Sequence, residues 1–190
     1  MTQPLAHLDA RASHPAAHRA LDPERFKALF RGHPGGVAVI TADAGGGPVA
    51  LTATSVSSVN VEPPLLVFSI SSLSSASATL QKARSIVVHL LGADDLDIAK
   101  LGATSGIDRF ADTSRWRRLS TGEPFFPEVR AWVRCVVIER MRAGSSTVIA
   151  AHGVEARMRA ASHEHNDEHN DALVYHNRGW HRLSAQTRLG

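Results

Sequence analysis

The stretch Ala50-Leu-Thr-Ala-Thr-Ser-Val-Ser-Ser-Val-Asn-Val-Glu-Pro-Pro-Leu-Leu-Val-Phe-Ser-Ile70 is built like two strands that carry an excess of hydroxyls. Thr52, Thr54, Ser55, Ser57 and Ser58 lie beside backbone with no bulky side chain to shield it. A flat polar ligand can approach such a surface and be hydrogen-bonded along its edge. Pro63-Pro64 breaks the chain before the apolar run Leu65 to Ile70. Hydroxyls then resume with Ser69, Ser71, Ser72, Ser74, Ser75, Ser77 and Thr79. Ser and Thr favour turns and caps in any protein, so one cluster says little. Two clusters bracket one strand here, and the second opens a predicted helix at Ser74–Ser77 whose free N–H groups could face an anion. The residues by themselves leave two readings open, local turn chemistry and a site for a phosphate-bearing ligand.

The rest of the chain bounds what that ligand site can belong to. At 190 residues, 43% hydrophobic and 21% charged, the chain suits one soluble domain with a proper core. That domain is expected over 21–190, after a mobile Ala-, His- and Pro-rich tail over 1–20. A net charge of +3, dispersed along the chain, and an aromatic content of 5% argue against nucleic acid. No apolar run approaches the roughly 20 residues that span a bilayer. Met1 to Ala20 has no continuous apolar segment of the secretory type. The protein is therefore read as cytoplasmic, with no membrane partner.

The single cysteine, Cys135, sits in the apolar run Val133 to Ile138 and reads as a buried small hydrophobe. Without a second cysteine it forms neither an internal disulfide nor a cysteine-rich zinc site. His163-Glu-His-Asn-Asp-Glu-His169 has metal-like spacing. It is wholly polar, so it reads as a solvated loop and no metal site is assigned.

Asp22-Pro23-Glu24 starts a helix with a capping Asp, Pro at the first helical position and an early acid. Phe26, Leu29 and Phe30 share one of its faces. Val37 to Thr41 and Val49 to Val56 form a hairpin around a Gly-containing loop. Leu65 to Ile70 is a third strand, Ser75 to Ala83 a helix, and Ile86 to Leu91 an apolar strand. Asp94-Asp95 caps a helix carrying Leu96, Ile98, Ala99 and Leu101. Gly102 to Pro127 reads as a long loop pinned by Phe110, Trp116, Phe125 and Phe126. Ala131 to Arg142 and Thr147 to Met158 are long strands, and a last hairpin turns at Asn177-Arg178-Gly179. Short strands with a few helices predict a mainly β chain, a β-barrel with helical additions, and not a Rossmann sheet. Gly45-Gly46-Gly47 is a hairpin loop followed by Pro48 and a strand, so it is neither a dinucleotide fingerprint nor a P-loop. There is no G-x-S-x-G elbow.

The order of these pieces resembles the flavin reductase-like family of FMN-binding split barrels. His33-Pro-Gly-Gly-Val-Ala-Val-Ile-Thr41 is similar to that family's P-T-G-V-x-V-V-T strand. Leu51 to Asn60, followed by Pro63-Pro64-Leu65, is similar to its T-A-S-S-F-x-S-V-S-x-x-P-P-L signature. Asp108-Arg109-Phe110 resembles its R-F element, Gly153-Val154-Glu155 its G-x-V strand, and Leu173-Val-Tyr175 with Gly179-Trp180 its closing hairpin. The resemblance spans about Arg31 to Leu183.

It implies FMN (or FAD) as cofactor, NADH or NADPH as hydride donor, a homodimer and an oxygenase partner that receives reduced flavin. Thr52, Ala53, Thr54 and Ser55 would meet the ring edge or ribityl chain. Ser69, Ser71, Ser74, Ser77 and Thr79 would offer phosphate-side contacts, with Arg109 adding a charge; from the residues alone, a salt bridge of Arg109 to Asp108 or Asp112 is the other reading. No catalytic acid or base is assigned. The family's G-D-H turn reads Gly144-Ser145-Ser146-Thr147 here, without a histidine. Trp180 replaces the closing Tyr, and Val56 the usual signature aromatic. These departures bear on nicotinamide use more than on flavin binding, and an FMN-binding carrier or sensor without turnover is the alternative, as is an enzyme that keeps its flavin and acts on an organic substrate itself.

Overall fold

The computed structural model describes residues 20–159 and 171–189. The expected tail over 1–20 lies almost wholly outside the described residues, and the His163–His169 run lies wholly outside them.

Helix α1, Pro23–Arg31, begins as its sequence dictates: the Asp22 carboxylate accepts from the Arg25 amide at 3.0 Å, and Pro23 opens the first turn. Its apolar face does not dock on the core, because Phe26, Leu29 and Phe30 are 53%, 63% and 59% exposed. Strand β1, Gly35–Gly36, follows, then the hairpin of β2, Ala38–Asp43, and β3, Pro48–Ala53. The turn between them closes when the Asp43 carboxylate accepts from the amides of Gly45 and Gly47, at 2.8 and 3.2 Å. The returning strand ends at Ala53, three residues short of the expected Val56. A separate edge strand, β4, Ser57–Asn60, was not anticipated. All four of its residues are exposed, so no burial alternation marks it.

Strand β5, Leu65–Ser71, is followed by the short helix α2, Ser77–Leu80, one turn where nine helical residues were expected. Then come β6, Ser85–Leu90, a 3₁₀ turn at Ala93–Asp95 and α3, Leu96–Ala103. The cap works differently from the expected one: the Asp95 carboxylate accepts from the Gly92 amide at 2.8 Å and the Arg130 amide at 3.0 Å. Two short strands, β7 (Arg117–Arg118) and β8 (Pro124–Phe125), lie in the long loop. The chain closes with β9 (Ala131–Ala143), β10 (Ser146–Met158), β11 (Ala172–His176) and β12 (Gly179–Leu183).

The main sheet is antiparallel, in the order β3-β2-β6-β9-β10-β5-β4. It curls until β3 meets β5. A second sheet, β1-β11-β12, covers one side. Side chains alternate from Val37 into β2. Ala38, Ile40 and Ala42 fill the interior with Phe68, Ile70, Leu80, Ile86 and Ile149, while Val37 and Val39 join an outer layer of Ile98, Phe110, Phe126 and Trp132. The expected mainly β barrel with helical additions is what forms. The expected aromatic pinning of the long loop holds too: Phe110 stacks on Phe126 with centroids 5.7 Å apart, and Trp116 packs edge-on to Phe110 at 5.1 Å.

The Ile86–Leu91 strand is not wholly apolar. His89 is fully buried, and both ring nitrogens are used. Nδ1 donates to the Val39 carbonyl (2.8 Å), so Nε2 accepts from the Phe126 amide at 3.0 Å. The Thr41 hydroxyl also donates to the Pro124 carbonyl, and Glu123 pairs with Arg134 at 2.8 Å, so three polar contacts tie this end of the loop to the barrel. Cys135 is buried, as expected, and burial pushes its thiol up to about 12, so it is inert in the folded state. Among the described residues no helix is long and apolar enough to cross a membrane.

Burial holds His89 neutral, lowering its pKa from 6.5 to about 4. A proton on Nε2 would also set N–H against N–H at Phe126. Between those two pH values the unfolded chain binds the extra proton, so stability falls as pH drops below 6.5. The expected loss is on the order of 3 kcal/mol by pH 4. Urea unfolding between pH 7 and pH 4 measures it. His89→Gln should be less stable at pH 7 and show a shallower slope, whereas an unchanged slope would remove His89 as the cause.

Candidate functional site

The two hydroxyl-rich segments meet in space, although not every residue in them is free to bind. Thr52 is engaged with the scaffold, its hydroxyl donating to the Ala99 carbonyl of α3 at 2.7 Å. Gly102 makes that contact possible, since a Cβ there would collide with Thr52 Oγ1. Ala53 is buried in the interior cluster, so any contact it makes with a ligand is through backbone. Thr54 and Ser55 leave the sheet and are exposed. The Ser55 hydroxyl spans to β5, accepting from the Ser69 amide at 3.0 Å and donating to the Ser69 carbonyl at 3.2 Å. A side chain thus completes the pairing where β4 has not yet begun, and it joins the first segment to the second.

Along the second segment, Ser71 and Ser74 cap local turns, accepting from the amides of Leu73 (3.2 Å) and Ala76 (3.3 Å). Ser77 is buried and its hydroxyl accepts from Gln81 Nε2 at 2.8 Å, while Thr79 is half-buried. The helix expected to aim its N-terminus at an anion is a single turn, which corrects that part of the expectation. A helix this short gathers little dipole, and the Ser77 hydroxyl is already engaged by Gln81.

Arg109 is brought to this segment across 34 residues of sequence: Nη1 donates to Ser75 Oγ at 3.4 Å and Nη2 to the Thr104 carbonyl at 2.7 Å. The alternative, a salt bridge to Asp108 or Asp112, does not form. Asp108 accepts from the Phe110 amide, and Asp112 from the amide and hydroxyl of Ser114. Arg109 Nε is buried with no hydrogen-bond partner. A charged group with an unused donor, beside serine hydroxyls and uncompensated by a carboxylate, suits an incoming phosphate. Ser75 and Thr104 were not foreseen, because only the fold shows what Arg109 touches. The β9–β10 turn arrives at the same place: Ser146 pairs with Ser71, and Ser72 donates to the Ser145 carbonyl at 2.9 Å.

Thr54 also lines a cavity of about 320 Å³ with Lys27, Phe30 and Arg31 of α1 and Tyr175 and Arg178 of the β11–β12 hairpin. Gly35 lies close against Thr54. A Cβ at Gly35 would sit 2.9 Å from Thr54 Cβ and 3.1 Å from its carbonyl oxygen. In a second cavity, about 340 Å³, Arg115 pairs with Asp97, Arg159 donates to the Glu128 carbonyl, and Asp95 accepts from two amides.

Two serine-rich segments and an arginine thus converge at β5 of a curled antiparallel barrel. The chain belongs to the flavin reductase like domain family, whose model matches residues 30–184. It is 42% identical over 158 residues to an NADH:FMN oxidoreductase of Rhodococcus erythropolis, covering 83% of this chain and 80% of that one. A flavin reductase domain protein from Arthrobacter sp. FB24 superposes with a TM-score of 0.78 at 27% identity, over 88% of this chain and 97% of that one. The flavin reductase component of a bacterial two-component tryptophan halogenase gives 0.73 at 27% identity, over 86% and 99%.

The Gly35–Thr54 approach makes a direct prediction. Gly35→Ala should cost about 1–3 kcal/mol, as overpacking does. Gly36→Ala, whose Cβ would meet nothing within 4 Å, should change stability by less than about 0.5 kcal/mol. Chemical denaturation of both variants tests the pair, and equal effects would count against the close contact.

Proposed function

We propose that the protein is an NAD(P)H-dependent flavin reductase that supplies reduced flavin to a partner oxygenase. The observation that carries the reading is Arg109, placed against Ser75 with its Nε unpartnered, at the end of a strand flanked by hydroxyls. Bound FMN would supply the redox chemistry, as acceptor of the nicotinamide hydride. The chain's own part is to bind and orient. Arg109 with the Ser71, Ser74 and Ser75 hydroxyls would hold the phosphate, each hydroxyl able to turn a donor outward. Ser69, with its backbone already paired to Ser55, has its own hydroxyl to offer. Thr54 and the backbone of Ala53 would meet the ring edge. Thr52, Ser77 and Thr79 support these positions from behind. None of these groups is a carboxylate or an imidazole. That fits a hydride transfer, which gains from proximity and water exclusion rather than from a protein acid or base.

A homodimer is part of the same proposal. The β9–β10 hairpin leaves Val136, Ile138, Met141, Val154 and Met158 between 38% and 79% exposed, and a second copy would cover such a patch. Sedimentation at micromolar concentration should give twice the chain mass.

Anaerobic addition of NADH to protein with FMN should bleach the flavin band faster than in a protein-free control. Absence of that acceleration would leave a flavin-binding protein without turnover. Arg109→Gln should weaken FMN binding roughly 10–100-fold, the worth of a charge-assisted hydrogen bond. Unchanged affinity, read by fluorescence titration, would move the phosphate elsewhere.

A further inference from the structure

Of the residues that line the cavity beside Thr54, the flavin contacts described above use Thr54 alone. It is about 320 Å³, at the small end of the range of ligand pockets. Lys27, Arg31 and Arg178 line it, and no carboxylate does. Lys27 is partnered by Glu24 at 2.7 Å, in an exposed pair one helical turn apart. Arg31 and Arg178 have no ion-pair partner among the described residues. Three rings, Phe30, His33 and Tyr175, also line it, with Tyr175 braced edge-on by Trp180 at a centroid distance of 4.8 Å.

The backbone brings these cations together. Asn177 and Arg178 form the two-residue turn between β11 and β12, with φ of 48° and 64°. That left-handed conformation favours Gly and Asn, and an arginine adopts it only against steric resistance. The Asn177 amide donates to the Arg31 carbonyl at 3.0 Å, so the turn is docked on the C-terminal end of α1 and the two arginines face one cavity. Unmatched cations beside aromatic rings make a site for an anion that carries a flat base. Thr54 lines this cavity and is followed directly by Ser55, whose hydroxyl leads across Ser69 toward the Arg109 cluster. The occupant therefore lies next to the flavin position without sharing its phosphate site.

We infer that this cavity holds the adenosine-phosphate half of the reduced pyridine dinucleotide, with Arg31 and Arg178 on the pyrophosphate and Phe30 and Tyr175 against the base. The inference rests on the flavin reductase reading and adds to it the site of the hydride donor. It assigns the donor's anion to residues about 150 positions apart in sequence, Arg31 and Arg178, and the flavin's to Arg109.

The test compares wild type with Arg178→Gly and Arg31→Gln, using saturating FMN and two donors. Glycine suits the left-handed turn, so Arg178→Gly should fold at least as well, which a thermal melt verifies. Both substitutions should raise KM for NADH at least tenfold while leaving FMN affinity intact. With reduced nicotinamide mononucleotide, which has neither pyrophosphate nor adenosine, that loss should disappear. An unchanged KM for NADH in either variant, the same loss with both donors, or weakened FMN binding would overturn the assignment. If wild type fails to reduce FMN, the reductase reading fails by itself. Equilibrium dialysis of NADH against the flavin-free protein then decides the cavity: binding that is lost in Arg178→Gly sustains it, and no binding, or binding the substitution leaves unchanged, overturns it.

Discussion

Strand β2 is buried on both faces, and much of the architecture follows from that. Its inward residues, Ala38, Ile40 and Ala42, are filled against by the curled sheet. Its outward residue Val39, with Val37 just before the strand, needs a second cover, and antiparallel sheets ordinarily leave such a face to water. The cover comes from α3, from β11, and from the long loop folded back through Phe110, Trp116 and Phe126. His89 solves the polar problem this creates, since its ring links β2 to the loop's Phe126 amide without placing a charge in the core. The same folding-back delivers Arg109 to the serines, because Arg109 immediately precedes the anchored Phe110. The placing of Arg109 beside the serines and the burial of β2 are thus two results of one loop path.

The hydroxyl-rich segments divide their labour. Thr52 and Ser77 spend their hydroxyls on the scaffold, and Ser55 spends its own on joining strands. Ser69, Ser71, Ser74 and Ser75 remain at the surface end, where Arg109 waits. A serine-rich segment is therefore a pool from which the fold draws structural bonds first.

What was legible in the sequence was whatever local pattern decides. The Asp22-Pro23 cap, the Gly-loop hairpin, the long β9–β10 pair and the aromatic pinning of the loop could all be read directly. Edge strand β4 could not, because four exposed residues give no alternation. The length of α2 could not either, since serines suit a cap and a turn equally. His89 was hidden in an apolar run, where a lone histidine gives no sign of being bonded at both nitrogens. At the site, the segments and Arg109 were named through resemblance, and the structure shows the Thr52 and Ser77 hydroxyls engaged within the scaffold. Which hydroxyl a carbonyl captures depends on Ala99 or Gln81, residues met only after folding. The cavity of Arg31, Arg178 and Tyr175 had one faint sign, an arginine in a two-residue hairpin turn where glycine is easier.

The buried thiol has a consequence for chemical wear. Reduced flavin released into air generates hydrogen peroxide, and an enzyme that makes it works in its own oxidant. Cys135, the only cysteine in the chain, is shut inside the barrel and held as the unreactive thiol. The exposed sulfur among the described residues belongs to Met141 and Met158, at 59% and 79%, the first near the β9–β10 turn and the second at the hairpin's open end. Oxidation there turns an apolar side chain polar. Ageing of this protein would then begin as a loss of stickiness on that hairpin, with the barrel and its ligand sites still intact.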